Sequence, residues 1–267
     1  MSSADEVKRP RFRIIPNVED QTIAELAVNE TPETWNKIFI NRKKRNGETV
    51  ATDELRDISR IVSKREKKEE KECIPCRAEI FKAFHLTKLH KVKVVFIAQD
   101  PYPGMLTNGK SIATGLSFSV RKSKSGKIPQ TAQNIIKELI NSIDGFKLPK
   151  YFELDKWAEQ GVLMLNQSLV TMPGEPDSFQ KIWMGFIKQV IEAIDALNPN
   201  CIYVLMGNRA IALEKFIGRN CVALKTAHPS ARASGAKKYP AFQGSDIFLK
   251  INKELVKQKR KPIKWQI

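Results

Sequence analysis

The stretch VKVVFIA (92–98) runs without a break into QDPYPG (99–104). The first part is a short apolar run, which predicts a buried strand. The second part is rich in proline and ends on a glycine, so it predicts a loop. Gln99 and Asp100 therefore follow immediately after the carboxyl end of a strand.

Three more apolar runs of the same kind follow: VLMLN (162–166), CIYVLMG (201–207) and CVALKTA (221–227). Helical spacing lies before and between them, over about 77–85, 131–143, 151–160, 178–197 and 208–217, and again at 244–258. Strands that alternate with helices predict parallel pairing with right-handed crossovers. Apolar strands also suit a sheet that is covered on both faces. We therefore expect one α/β domain with a central, four-stranded, parallel twisted sheet and helices on both faces.

Three of the predicted strands end in loops rich in polar residues, glycine or proline: QDPYPG, NQS and HPS. Ligands bind beyond the carboxyl ends of the strands in such sheets, so these loops should meet at one site. They carry Asp100, Asn166 and His228, with aromatic rings at Tyr102 and Phe118. Each residue also has a structural interpretation, as a turn residue, a cap, a backbone partner or part of the core.

The sequence lacks the patterns of several common kinds of catalytic site. No cluster has metal-ligand spacing, no glycine-rich phosphate loop follows a strand, and no Ser or Cys nucleophile has an evident base. We therefore expect no metal and no cofactor. Acid–base or electrostatic chemistry on a flat, neutral substrate remains, with a carboxamide able to read the edge of a base.

The chain is strongly basic, with 46 Lys and Arg against 29 Asp and Glu and a formal net charge of +17. This excess favours a polyanionic partner, nucleic acid first and an anionic membrane second. A basic surface that binds nothing is the alternative. No apolar run is long enough for a transmembrane helix, and the N-terminus lacks an apolar signal core.

Four cysteines are present, of which Cys73 and Cys76 form one C-x-x-C pair. Cys201 and Cys221 lie in apolar, strand-like runs. Four cysteines could hold zinc or an iron–sulfur cluster, but there is no second C-x-x-C and only three histidines. Buried thiols plus an incidental pair is the interpretation that we favour, and it suits a cytosolic or nuclear protein.

The N-terminal third is less regular. Residues 1–20 predict a flexible basic tail, and residues 21–267 predict the folded domain, whose first part, 22–40, has helical spacing. Residues at about 41–72 are dense in charge and predict an insertion. Apolar periodicity near Leu55, Ile58, Ile61 and Val62 indicates a short helix within it, which we expect to be solvated and mobile.

Five segments, in order, resemble motifs of the uracil-DNA glycosylase family 1. They are QDPYPG (99–104), GLSFSV (115–120), IPQTAQN (128–134), VLMLNQSLV (162–170) and AHPSARAS (227–234). IPCRAEIFKAF (74–84) and KPIKW (261–265) are also similar to the family, so the resemblance covers about 73–267. It implies the uracil-DNA glycosylase fold and hydrolysis of the N-glycosidic bond of uracil in DNA, the first step of base excision repair.

The resemblance also implies a role for each matching residue. Asp100 would position the attacking water and stabilise the sugar cation, and neutral His228 would donate a hydrogen bond to uracil O2. Asn166 would read uracil N3 and O4, and Tyr102 would exclude the methyl group of thymine. Phe118 would stack on the ring, and Gln99 would contact the base through its backbone. The residues implied for DNA binding are Pro129, Thr131, Ser230 and Arg232.

Some positions depart from the family pattern. Pro103 stands where many members have His, Ala98 replaces a common Gly, and Arg232 replaces the usual intercalating Leu. Pro103 and Arg232 are similar to glycosylases of large DNA viruses, a hint of viral origin. The departures concern the side chain that the family inserts into the DNA. They leave the residues implied for the reaction unchanged.

The expected partner is uracil-containing DNA, single- or double-stranded, with replication or repair proteins as further candidates and no membrane. The expected location is inside the cell, in the nucleus or cytoplasm, or in a host cell if the origin is viral. Two other functions stay open. A DNA-binding scaffold could keep the glycosylase fold without activity, and an iron–sulfur glycosylase could use the four cysteines.

Overall fold

The computed structural model describes residues 18–41, 49–123, 128–230 and 239–267. The predicted tail up to residue 17, and Arg232, lie outside these ranges. The helices are α1 (Ile23–Asn29), α2 (Asn36–Phe39), α3 (Asp53–Glu69), α4 (Lys82–Leu86), α5 (Gln130–Ser142), α6 (Asp155–Glu159), α7 (Gln180–Leu197), α8 (Asn208–Ile211) and α9 (Ile247–Lys257). The strands are β1 (Ile40–Asn41), β2 (Val50–Ala51), β3 (Val94–Ala98), β4 (Val162–Asn166), β5 (Ile202–Met206) and β6 (Val222–Thr226).

The four predicted strands form one parallel sheet in the order β4-β3-β5-β6. Every residue of β3, β4 and β5 is buried, so both faces of the sheet are covered, as the apolar runs predict. From β3 the chain moves to β4 on one side, and from β5 it moves to β6 on the other. The crevice beyond β3 and β5 is therefore the point where the order reverses, which is where ligands bind in such sheets.

Aromatic packing joins the helices to the sheet. Phe96 of β3 stacks on Phe248 of α9 with the ring centroids 6.1 Å apart. It also packs edge-to-face on Trp265 near the C-terminus, at 6.2 Å. A second cluster, of Phe39, Phe84 and Phe186, joins α2, α4 and α7 edge-to-face. Contacts of this geometry fix how the helices sit against the sheet.

Three predicted helices are shorter than the sequence indicates. The segment 77–85 divides into a 3-10 turn (Arg77–Glu79) and α4. The segment 208–217 divides into α8 and a 3-10 turn (Glu214–Phe216). Around 151–160 only α6 is helical, because the carbonyl of Phe152 accepts a hydrogen bond from the Val120 amide, 2.8 Å away, instead of from the helix.

The charged segment contains a longer helix than expected. α3 has 17 residues, and Leu55, Ile58 and Val62 on one side of it are buried in the core against α1 and α7. The expectation of a short, solvated helix is therefore wrong, because these residues form an apolar stripe among the charges. The fold also begins before residue 21, since Val18–Asp20 forms a 3-10 helix with Val18 buried.

In the described ranges, no helix combines the length and the apolar character needed to cross a membrane.

Candidate active site

The three predicted loops meet at the carboxyl edge of the sheet around a pocket of about 200 Å³. QDPYPG supplies one wall, the end of β4 supplies Asn166, and the loop after β6 supplies His228. The segment after Gly115 adds Phe118, and the start of α5 adds Thr131. Seven of the ten residues predicted for the site line this pocket, Pro129 and Ser230 do not, and Arg232 lies outside the described residues. The lining residues are Ala98, Gln99, Asp100, Pro101, Tyr102, Pro103, Ala113, Leu116, Phe118, Thr131, Asn166 and His228.

Asp100 presents a half-buried carboxylate at the end of β3. Its Oδ2 accepts a hydrogen bond from the backbone amide of Asp177, 2.7 Å away. Burial raises the pKa of the Asp100 carboxyl, and the amide of Asp177 opposes that rise. The neighbouring Gln99 is held by its own carbonyl, which accepts from the amide of Ser168 at 3.0 Å. The carboxylate is therefore poorly solvated but fixed in direction.

His228 is held in one tautomer. Its Nδ1 accepts a hydrogen bond from the backbone amide of Ser230 at 3.1 Å, which leaves the hydrogen of the neutral ring on Nε2. Burial lowers the pKa of His228, so the ring is neutral near pH 7. Gly207 packs directly behind it, since a Cβ added there would lie 2.9 Å from the Cβ of His228. His228 is therefore a neutral donor with little room to move.

Asn166 and Tyr102 line the pocket, and each has a buried polar atom without a hydrogen-bond partner among the described residues. Asn166 is 4% exposed, and its Oδ1 accepts no hydrogen bond from any residue that the structure describes. The hydroxyl of Tyr102 is likewise buried with no partner in the described ranges, and burial raises its pKa, so it is neutral. A buried polar group without a partner costs free energy. Such groups in a pocket indicate a ligand that completes their hydrogen bonds.

Phe118 is placed by a backbone that a bulky residue seldom adopts. Its φ is 61°, in the left-handed region, and its ring centroid is 6.5 Å from that of His228. Strain of this kind persists only where the surrounding structure imposes it, and it concentrates at functional sites. Ser117, just before it, is anchored by an amide hydrogen bond to the carbonyl of Met164 at 3.0 Å. The strained backbone presents an aromatic ring to the pocket.

The residues predicted to bind DNA lie at the rim. Pro129 precedes α5, and Thr131 is the second residue of that helix, where free backbone amides favour an anion. Asn134 of α5 donates to the carbonyl of Pro229 at 2.6 Å, which holds the loop of Ser230 beside the start of the helix. Arg232 lies outside the described residues.

Two residues at this edge were missed from the sequence. The side chain of Asp177 accepts hydrogen bonds from Gln99 and from Arg209. Arg209 follows the end of β5 by three residues, so the rule that strand ends meet could have indicated it. Asp177 lies in the long connection between β4 and α7, where no local pattern marks it.

The four cysteines do not converge on one place. Cys73 lies beside Arg77 and Glu66, with its Sγ 3.1 Å from the Arg77 guanidinium. Cys201 contacts the carbonyl of Lys93 at the opposite edge of the sheet from the pocket. The arrangement gives no support to a shared four-cysteine cluster.

Comparison with known proteins identifies the family. A family model described as the uracil DNA glycosylase superfamily matches residues 84–256. The chain belongs to this superfamily. It is a hydrolase that excises uracil from DNA in base excision repair. The matched region contains the strands of the sheet and every described residue of the pocket.

Two bacterial glycosylases are similar to most of this chain. A uracil-DNA glycosylase of Desulfitobacterium hafniense is 40% identical over 194 residues, which are 72% of this chain and 82% of that protein. One from Deinococcus radiodurans is 38% identical over 205 residues, 76% of this chain and 78% of that protein.

A solved structure of a similar protein is viral. A mimivirus UNG variant in complex with UGI matches with a TM-score of 0.73 and 28% identity, over 81% of this chain and 84% of that one. The predicted fold and family are confirmed. A viral origin and the assignment to family 1 stay predictions.

Proposed function

We propose that this glycosylase hydrolyses the N-glycosidic bond through opposing charges, releasing free uracil and leaving an abasic site. As the bond lengthens, the sugar gains positive charge and the base gains negative charge. Asp100 would stabilise the sugar cation and direct the attacking water. Its fixed position supports this role, because preorganised charge needs no reorganisation during the reaction.

His228 would donate from Nε2 to uracil O2 as the base becomes anionic. The Ser230 amide on Nδ1 supports this direction of donation, and the lowered pKa keeps the ring neutral. A neutral imidazole still donates one hydrogen bond, and it does not oppose the positive charge on the sugar. Asp100 and His228 would thus act on opposite sides of the same bond.

Asn166, Tyr102 and Phe118 would select and hold the base. Uracil carries a donor at N3 and an acceptor at O4, and one carboxamide offers the matching acceptor and donor. The unpartnered Oδ1 of Asn166 supports this pairing. Tyr102 would face the carbon that bears the methyl group in thymine. Phe118 would stack on the ring, and the backbone of Gln99 would contact the edge of the base.

The DNA would meet the rim of the pocket with one nucleotide turned out of the stack, because the bond is not reachable inside a duplex. Thr131 and Ser230 would grip phosphates on either side of that nucleotide, and Pro129 would press on the strand between. Arg232 would occupy the position from which the family inserts a side chain. We expect Thr131→Ala and Ser230→Ala to raise KM for a uracil oligonucleotide, with the choice of base unchanged.

The observation that carries this proposal is the carboxamide oxygen of Asn166, buried with no partner among the described residues, in a pocket that Asp100 and His228 also line. The test is incubation with a single-uracil oligonucleotide, followed by alkaline cleavage at abasic sites. Matched oligonucleotides with thymine or cytosine at that position serve as controls. Cleavage of the uracil strand alone supports the proposal, whereas equal cleavage of all three would overturn it.

Single- and double-stranded DNA are both expected substrates, and replication or repair proteins are candidate partners. We place the protein in the nucleus or cytoplasm. A scaffold without activity is the second candidate function, and the same oligonucleotide assay separates the two. Binding of uracil DNA without base release would favour the scaffold.

A further inference from the structure

We infer that Asp177 and Arg209 form a charge pair that positions Asp100 and tunes the proposed reaction. The inference rests on the proposed role of Asp100. It concerns two side chains outside the pocket lining, on elements that the sequence separates widely. Neither would touch the substrate, so both are positioning residues.

The geometry ties both residues to Asp100. The amide of Asp177 donates to Oδ2 of Asp100 at 2.7 Å, across 77 residues of chain. The Asp177 carboxylate accepts from Gln99, the residue before Asp100, and from Arg209. One residue thus clamps the QDPYPG loop through its backbone and through its side chain.

The backbone of Asp177 is held in an unusual conformation. Its φ is 66°, in the left-handed region, which Asp and Asn tolerate better than most residues. Arg209 also donates to Oε1 of Gln180 at the start of α7, 3.2 Å away. These contacts connect the loop before α7 to the start of α8, beside the crevice where the strand order reverses. The Asp177–Arg209 pair therefore stabilises the carboxyl edge of the sheet, where Asp100 lies.

The two charges act on Asp100 in opposite directions. The negative charge of Asp177 raises the pKa of the Asp100 carboxyl, and the positive charge of Arg209 lowers it. Among the described residues, the other titratable groups facing Asp100 in the pocket are His228 and Tyr102. Both of these are neutral near pH 7. The ionisation of Asp100 should thus respond to the two partners with opposite signs.

The pair is half exposed, with side-chain exposures of 52% for Arg209 and 38% for Asp177. Exposed charge pairs have modest effects, so we expect changes in rate of no more than about fivefold. The direction of the change, rather than its size, is the informative quantity.

The test uses Arg209→Gln and Asp177→Asn, each in the full chain. Asn keeps the backbone amide and tolerates the left-handed backbone, so Asp177→Asn removes mainly the charge. The measured quantity is kcat/KM for uracil release against pH. We expect the acidic limb of the profile to move to higher pH in Arg209→Gln and to lower pH in Asp177→Asn. The double variant should return towards the unmodified protein.

Two controls make the outcome specific. Lys188→Gln and Glu192→Gln remove an exposed pair on α7, with exposures of 52% and 57%, and should leave the limb in place. The pH profile of kcat/KM is measured again with His228→Ala added to each variant. Because His228 no longer titrates there, the acidic limb that remains reports the ionisation of Asp100.

The outcomes separate this inference from the function on which it rests. A merely structural role would lower activity at every pH without moving the limb in opposite directions. If the two variants move the limb the same way, or not at all, while Asp100→Asn still abolishes most activity, the inference is overturned. If Asp100→Asn itself keeps full activity, the proposed function fails instead.

Discussion

The segment from Pro103 to Ala113 contributes to the walls of both the small pocket around Asp100 and a larger cavity beside Cys73. The larger cavity has about 720 Å³ against about 200 Å³ for the pocket. None of the described side chains that line it has a buried oxygen or nitrogen atom without a hydrogen-bond partner, and Arg121, for example, pairs with Glu79 and donates to the carbonyl of Ser111 at 2.7 Å. In the part of the chain that the structure describes, the pocket instead buries Asn166 Oδ1 and the Tyr102 hydroxyl without partners. Buried polar atoms that lack a hydrogen-bond partner, and not the larger volume, therefore indicate which of the two cavities is the active site.

The largest expected effect is a loss of rate in variants of the small pocket that variants of the larger cavity should not show. Asp100→Asn and His228→Ala should each slow uracil release by about 10²- to 10³-fold, because each removes one preorganised charge-stabilising group. DNA binding should weaken far less, since phosphate contacts supply most of the affinity. Single-turnover release and binding to a uracil oligonucleotide measure the two quantities.

Met105→Ala is the matched control for that comparison. Met105 lines the larger cavity and is 46% exposed, so its loss should change the rate by less than about twofold. A large loss of activity in Met105→Ala, or none in the two pocket variants, would show that the site has been placed in the wrong cavity.

Asn166→Asp tests whether the carboxamide of Asn166 selects uracil over cytosine. Cytosine offers an acceptor at N3 and a donor at N4, the reverse of uracil, and a carboxylic acid can match it. We expect uracil release to fall by about 10- to 100-fold, the scale of a lost charge-sensitive hydrogen bond, and cytosine release to appear. Alkaline cleavage of matched uracil and cytosine oligonucleotides measures both. Unchanged selectivity would exclude Asn166 as the reader.

Gly207→Ala tests whether the packing behind His228 matters for the reaction. The new Cβ would lie 2.9 Å from His228 Cβ, so the ring must move, and we expect a loss of roughly tenfold in kcat. Gly145→Ala is the control, since Gly145 has a similar positive φ of 72° with nothing within 4 Å. Gly207 also has a ψ of 164°, a backbone conformation that only glycine adopts readily, so Gly207→Ala should lose more folding stability than Gly145→Ala. Equal activity in the two would remove Gly207 from the site.

Tyr102→Ala has the smallest expected effect, a weak release of thymine. Thymine differs from uracil by one methyl group, and a pocket separates such bases by only about 1–3 kcal/mol unless a rigid ring blocks the methyl. Pro101 and Pro103 restrict the backbone on both sides of Tyr102, which holds its ring. Thymine oligonucleotide cleavage by the folded variant is the measurement. A lower melting temperature without thymine release would assign Tyr102 to stability alone.

The pocket itself was largely predictable because its residues follow strands whose apolar runs are easy to recognise. Asp100, Asn166 and His228 each stand at or just beyond a strand end, and parallel pairing brings such ends to one edge. Arg209 also follows a strand end, that of β5, so the same rule places it at this edge. The residues next to it in the sequence show no pattern that indicates a catalytic site.

The charged segment was less predictable. Charge dominates its composition, yet Leu55, Ile58 and Val62 bury one side of α3 in the core. Their spacing was visible, but whether a stripe is buried depends on a surface for it to meet, which here comes from α1 and α7. Composition therefore indicated exposure where packing produced burial.

The sequence by itself determined the four strands, the loops that follow them and the chemical groups that these loops carry, since each is written in a local run of residues. The tertiary structure decided the contacts between the loops: the Asp177 amide on Asp100, the charge of Arg209 beside it, and Gly207 behind His228. These contacts join residues far apart in the chain, and long connections leave no periodic pattern. Only the packing of the helices around the sheet fixes where such segments come to lie.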